Sequence, residues 1–370
     1  MNAHLHLAVA LDGYGWHPRA WQLTGPAEAV TSGRYWAGLA ATAERGLFDF
    51  LTIDDTLMPQ AGRHYQIDPR RLAGRADAVL VAARIAPATR HIGLMPVATV
   101  THTEPFHVSK AIATLDFVSQ GRAGWQPRVS ATADEAALFE RRSVEGRQGS
   151  ASFINELFDE AADVVEVVRR LWDSWEDDAE IRDVATARFV DRDKLHYIDF
   201  AGKYFSVKGP SITPRPPQGQ PVVAALAHSS RVYEFAARSA DLVFITPTDD
   251  DTVRSILAEI AHADGAHLKV YADVVVSLSG ESGFQSDAMV FTGSAAELVD
   301  LLLRWQRLGV DGVRLRPSVH AIDLPVVIDE VVPLLQDAGS FRTAYRDTET
   351  LRERLGLPSA ENRYATGQPA

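Results

Sequence analysis

Several short stretches of this chain hold side chains able to bind or transform a small molecule. His17 stands in Asp12-Gly13-Tyr14-Gly15-Trp16-His17-Pro18, just after an apolar run. An imidazole there can move a proton beside the flat faces of Trp16 and Trp21, or it can simply cap a helix and meet solvent. Asp54 and Asp55 close a second apolar run. A carboxylate in that place serves a ligand or the N-terminus of the next helix. Ala98 and Thr99 end a third run, and the hydroxyl-rich segment after them leads into Glu104-Pro105. Small residues at that point suit close approach by a flat ring, and Thr103 with Pro105 also suits a helix start. Gln126 and Ser130 lie in GRAGWQPRVS. A side-chain amide both donates and accepts, so Gln126 can read a heteroaromatic edge or satisfy backbone groups. His228-Ser229-Ser230 precedes a helical segment. Free N–H groups and the positive dipole end would favour an anion there, with N-capping as the plainer role for either serine. Gly293-Ser294 reads as a helix cap.

Composition narrows the classes. The 370 residues carry a formal charge of −12 and no cysteine. A net negative chain offers no general basic face to nucleic acid or to an anionic membrane. Without cysteine there are no disulfides, thiolate metal sites or cysteine nucleophiles, which suits a reducing cytoplasm. The start, MNAHLHLAVALDG, has no basic n-region, so no signal peptide is expected. No apolar run is long enough to span a bilayer. A dinucleotide fingerprint is excluded at the first loop: Gly13 and Gly15 fit its first two glycines, but Pro18 stands at the third.

Strands and helices alternate along the chain. Strands are expected at His4–Leu11, Phe48–Ile53, His91–Thr99, Gly121–Val129, Pro221–Ala227, Asp241–Thr246, Lys269–Leu278 and Asp311–Pro317. In the first, Leu5, Leu7, Val9 and Leu11 should face outer helices, leaving Ala8 and Ala10 inside. Helices are expected at Gly33–Arg45, Asp77–Ile85, Pro105–Phe117, Ile154–Trp175, Ala295–Leu308 and Pro325–Gln336, with others after the fifth and sixth strands. Eight such units imply an α/β fold, a (β/α)8 barrel with active-site loops at the strand C-termini. Glu176–Gly219 interrupts the rhythm and is expected to hold a hairpin around Leu195–Val207. His4 and His6 form an H-x-H with zinc-ligand geometry, but five residues of strand follow it. That places the pair at the barrel bottom, as structural histidines.

Two segments are the most distinctive: LAVALDGYGWHPRAW (Leu7–Trp21) and FRTAYRDTETLRERLGLPSAENRYA (Phe341–Ala365). With Ala98-Thr99, Glu104–Val108, GRAGWQPRVS and Ser229, they resemble the bacterial luciferase-like flavin monooxygenases. The likeness is to the branch with nitrilotriacetate and dibenzothiophene-sulfone monooxygenases. It covers nearly the whole chain and is weakest at Asp249–His267. Gln126 stands where the family has Asn, and Phe158 where it often has Tyr.

The resemblance implies reduced FMN from a separate NAD(P)H:flavin reductase, O2 as co-substrate, and a small organic substrate. It places His17 near the flavin's reacting edge. It sets Asp55, Ala98, Thr99, Gln126 and Ser130 around the ring, and Ser229 and Ser230 at the phosphate. It implies a barrel domain over 1–340, with 176–219 as an inserted excursion that joins the first loop as a lid, and a C-terminal extension over 341–370. A homodimer is the family expectation. Trp16, Trp21, Trp125 and Tyr14 would suggest an apolar or aromatic substrate. Three alternatives stay open: deazaflavin hydride transfer on the same barrel, a metal-dependent barrel hydrolase, and a flavin-binding protein without catalysis.

Overall fold

The computed structural model describes residues 4–24, 28–59, 68–140, 143–144, 146–280 and 283–365. Eight strands form the barrel: β1 (His6–Leu11), β2 (Phe50–Ile53), β3 (Gly93–Thr99), β4 (Gly124–Arg128), β5 (Val222–Leu226), β6 (Leu242–Ile245), β7 (Lys269–Ser277) and β8 (Gly312–Pro317). Each pairs in parallel with its chain neighbours. β8 returns to β1 with His6 opposite Gly312, which closes the barrel. Around it run α1 (Gly33–Arg45), α2 (Ala78–Ile85), α3 (Pro105–Val118), α4 (Ala151–Asp173), α5 (Ser230–Ser239), α6 (Asp250–His262), α7 (Ala295–Leu308) and α8 (His320–Val326). The expected strands and helices are all present, with ends shifted by a few residues.

Period-two patterning decides what faces where. Leu5, Leu7, Val9 and Leu11 pack outward into the main core against the helices, as expected. Ala8 faces inward, where Phe50, Met95, Val222, Ala224, Leu242, Phe244 and Tyr271 fill the lower barrel. Caps set the helix ends. Ser32 accepts from the Arg34 and Tyr35 N–H groups at the start of α1. Ser150 accepts from Phe153 N, so α4 starts at Ala151 rather than Ile154. Ser294 and Glu297 form a capping box on α7. The eighth helix begins earlier than expected, at His320, with Pro325 inside it.

The C-terminal extension closes the barrel from below. Leu351 and Leu355 join the lower interior core. Arg354 donates to the carbonyls of Asp49 (3.1 Å) and His91 (2.6 Å), and Arg352 to that of Gln220 (3.0 Å). His6 is in the same region, its Nδ1 3.0 Å from Asp49 Oδ1. It is thus a structural histidine at the strand start. Among the described residues no group of three or more His, Asp or Glu is placed to hold a metal. No described helix is long and apolar enough to cross a membrane.

The excursion after α4 holds two hairpins, Glu180–Asp183 with Arg188–Val190 and Phe200–Ala201 with Ser206–Val207. The second falls where a hairpin was expected. Its placement differs from the expected lid. Ile198 and Phe205 pack on Val167 and Leu171 of α4 and on Tyr364 of the tail. Arg215 holds Asp173 at 3.0 Å and the Ala360 carbonyl at 2.8 Å. The reason is directional. A barrel helix runs back toward the strand N-termini, so a segment that follows it starts at the bottom.

Candidate active site

At the strand C-termini a cavity of about 390 Å³ opens above the filled lower barrel. Its floor and walls include Ala10, Thr52, Val97 and Gln126 from the strands, and Phe158, Val232 and Phe235 from α4 and α5. Small Ala10 leaves the volume that Phe50 and Tyr271 occupy one layer lower. Trp16 reaches in from the first loop, Arg128, Arg314, Arg316, Asp54 and Asp287 supply charge, and His228 supplies an imidazole.

The first loop is laced to the end of β8. Trp16 N donates to Pro317 O (3.1 Å), and His17 N to Ser318 O (2.9 Å). Gly15 has φ +138°, and a Cβ there would stand 2.2 Å from the Ser318 carbonyl oxygen. Only glycine allows that approach, so Gly15 serves loop docking rather than a phosphate turn. Arg75 holds the ends of β1 and β2 together, 3.1 Å from Asp12 and 3.0 Å from Asp54.

Gln126 lies on the cavity wall as expected, and its Oε1 accepts from Arg314 Nη1 at 3.0 Å. Arg314 also donates to Asp273 through Nε (2.7 Å) and Nη2 (2.5 Å) and stacks on the Phe244 ring at 3.5 Å. Arg316 takes the same Asp273 carboxylate and reaches Asp287 at 2.7 Å. These four charged residues were not among the sequence candidates. The signal was present: in DGVRLRP the period of two puts both arginines on one face of a strand, and Asp273 interrupts an apolar run.

The other candidates are placed as follows. His17 is buried and accepts from Arg19 N at Nδ1 (3.0 Å). Its ring meets Phe284 edge-on, and both line a neighbouring cleft of about 380 Å³ with Arg70 and Arg71. Asp54 lines the cavity, whereas Asp55 accepts from Ala78 N (3.0 Å) and Thr56 N (2.7 Å). Burial raises the Asp55 carboxyl above the usual range, and the Ala78 N–H offsets this only in part. Ala98 faces the outer helices. Thr99 is buried, and its carbonyl accepts from the Thr103 hydroxyl (2.7 Å). Ser130 donates to Glu135, which Thr56 also engages. Burial would raise the Glu135 carboxyl, but these hydrogen bonds outweigh it and hold it below the usual range. Ser229 is the N-cap of α5, and its side chain makes no capping bond. Ser230 turns away, donating to Glu259 at 2.8 Å. Of the four aromatic residues expected at the pocket, Trp16 lines it, and Trp125 is fully buried in the outer core.

A closed parallel barrel with a half-polar cavity at its C-terminal face puts the candidate site where barrel enzymes carry theirs. The model of the luciferase-like monooxygenase family matches residues 15–282. The N-acetyl-S-(2-succino)cysteine monooxygenase of Bacillus subtilis (strain 168) is 29% identical, covering 98% of this chain and 98% of its own. The dibenzothiophene-sulfone monooxygenase of Rhodococcus erythropolis is 27% identical over 91% of this chain and 93% of its own. The structure of DmoA from Hyphomicrobium sulfonivorans superposes with a TM-score of 0.84 at 22% identity, covering 99% of this chain and 97% of that one. The chain belongs to the luciferase-like monooxygenase family, and its class is that of the flavin-dependent monooxygenases.

Proposed function

We propose that this chain is the oxygenase of a two-component system. It takes reduced FMN from a separate NAD(P)H:flavin reductase and uses O2 to oxygenate a small organic molecule. The observation that carries this reading is the cavity itself. It joins an apolar wall of Trp16, Val97, Phe158, Val232 and Phe235 to one anchored amide, Gln126, and lies beside the N-terminal end of α5, which His228 and Val232 flank. A flat ring with a polar edge and a phosphate tail needs those three features together.

Several of these residues would suit such a group. Arg314 fixes Gln126 Oε1, which leaves the Nε2 end to donate to a ring carbonyl. Ser229, with its hydroxyl uncommitted to capping, and the first N–H groups of α5 would hold the phosphate. Ser230 would contribute its backbone N–H, because its hydroxyl is on Glu259. Bound reduced flavin supplies two electrons to O2, so that one oxygen atom enters the substrate and the other leaves as water. The protein's part is to position the ring and exclude water. Trp16, tied to β8 through its own N–H, lines the cavity. His17, next to it, is the candidate for moving a proton at the cleft it lines. Asp55 and Ser130 support this site from behind: Asp55 caps α2, and Ser130 holds Glu135 against the loop after β2.

An anaerobic fluorescence titration with reduced FMN, oxidised FMN and a deazaflavin tests the proposal. Tighter binding of reduced FMN, followed by oxygen-dependent consumption after rapid mixing, is the expected result. A deazaflavin preference would keep the barrel and discard the oxygen chemistry, and no flavin binding would overturn the reading.

A further inference from the structure

The first turn of α8 reaches both the first loop and the loop after β7. Asp323 is fully buried and accepts from Val319 N (2.7 Å) at its own helix start and from Ser279 N (3.0 Å) on the loop after β7. Three residues earlier, His320 N donates to Tyr14 O of the first loop at 2.9 Å. The two loops also touch each other, with the His17 ring edge-on against Phe284 at 4.8 Å.

The side chain of His320 extends this link. It is 1% exposed, and its Nδ1 lies 3.4 Å from Tyr35 Oη. Tyr35 stands in the first turn of α1, where the Ser32 cap accepts from its N–H. Its hydroxyl is 2.7 Å from Gly13 O. A carbonyl only accepts, so the Tyr35 proton points at Gly13. The side of Oη turned to His320 then offers lone pairs, and Nδ1 must carry the imidazole proton to bond it. Burial pushes the imidazole down to about 3 and outweighs the opposing pull of the Gly13 backbone, so the ring is neutral and has one proton to place. Nε2 is left as a buried lone pair with no hydrogen-bond partner among the described residues. Such an acceptor is destabilising, and an apolar side chain would fill the same volume without it. What the imidazole gains is the directed bond.

The segment held in this way leads to the cavity. Tyr14 packs edge-on against the Tyr35 ring at 5.5 Å. Trp16, two residues on, lines the cavity with its ring 6.4 Å from that of His320.

We infer that His320 and Tyr35 are positioning residues: directed hydrogen bonds, from His320 Nδ1–H to Tyr35 Oη and from Tyr35 O–H to Gly13 O, set the first loop and with it Trp16 on the cavity wall. The inference rests on the oxygenase reading only for the ligand that Trp16 meets there.

Two measurements on the full chain test it. Hydrogen–deuterium exchange reads the loop, and anaerobic fluorescence titration with reduced FMN reads the cavity. Tyr35→Phe keeps the ring and removes the proton given to Gly13 O. Exchange in the segment 13–17, where Trp16 and His17 donate to Pro317 and Ser318, should rise roughly fivefold to tenfold, the size one hydrogen bond is worth. Exchange in β1 and β2 should hold, and reduced FMN should bind more weakly by a similar factor. His320→Leu should behave in the same way. His320→Asn places an N–H near the position of Nδ1 and should restore both readings, whereas His320→Gln, whose amide lies nearer the position of Nε2, should not. Equal behaviour of the Asn, Gln and Leu variants would reduce His320 to packing and overturn the inference. Unchanged loop exchange in Tyr35→Phe, a rise across the whole barrel, or faster loop exchange with unchanged FMN affinity would overturn it as well, even if the His320 variants fail to fold. The expected exchange pattern in a parent chain that takes no FMN would leave the loop anchor standing and sink the oxygenase reading instead.

Discussion

Asp273 holds the cavity floor together, because two buried arginines depend on its two oxygens. Replacing it with Asn keeps the shape and removes the charge. Two guanidiniums would then share the interior with no buried anion. Breaking a buried ion pair from one side costs about 3–5 kcal/mol. Asp273→Asn should therefore lower the unfolding free energy by an amount of that order, read by urea denaturation, with FMN binding weakened as Arg314 loses its grip on Gln126. A variant as stable as the parent would show that Asp287 and Asp54 suffice. The sequence marked Gln126 because amides read flavin edges. It did not mark Arg314, because an arginine in a strand reads as an exposed residue until the barrel closes around it.

The short helix Leu351–Arg354 of the tail is a barrel component in energetic terms. Leu351 and Leu355 are fully buried against Tyr271, Phe50 and Phe244. Leu351→Ala should cost about 2–5 kcal/mol, the range for deleting a buried leucine side chain, read by chemical denaturation. A change under about 0.5 kcal/mol, the size usual for surface substitutions, would mean the tail only rests on the surface. Another element-level prediction concerns pH. Asp116, at the end of α3, accepts from Gln218 N (3.0 Å), Gln218 Nε2 (2.6 Å) and Ala123 N (3.1 Å). Burial nevertheless raises its carboxyl from 3.8 to about 6. The folded chain then holds this proton more tightly than the unfolded chain. The contribution is fully present below the unfolded value and is lost as pH rises through about 6. Asp116→Asn should lose less stability than the parent between pH 4 and 7, by roughly 2–3 kcal/mol. Parallel pH curves for the two proteins would refute this. Alternation of apolar runs and turn residues made the strands legible. The hairpin segment at 176–219 was legible as an insertion, but its side of the barrel follows from the direction of α4.

At the scale of the molecule, the barrel is closed laterally by β8 on β1 and from below by the tail. A chain ending at Ser340 should expose Phe50 and Tyr271 at its base. It is expected to bind a hydrophobic dye strongly and to lose cooperative unfolding, and a cooperative, dye-silent truncation would contradict that. The sequence by itself determined the eight-fold strand–helix rhythm, the inward small residues of β1, the helix cap at Ser294, and the family likeness carried by the first loop and the tail. These are local patterns, set by periodicity and by backbone groups a few residues apart. The tertiary structure alone decided which candidates meet. It brought Gln126 to Arg314 across 188 positions, set Asp54 rather than Asp55 on the cavity wall, and turned Ser230 toward Glu259. Neighbours on adjacent strand ends differ by one residue in direction, and that parity is fixed by register and barrel closure, which no single segment encodes.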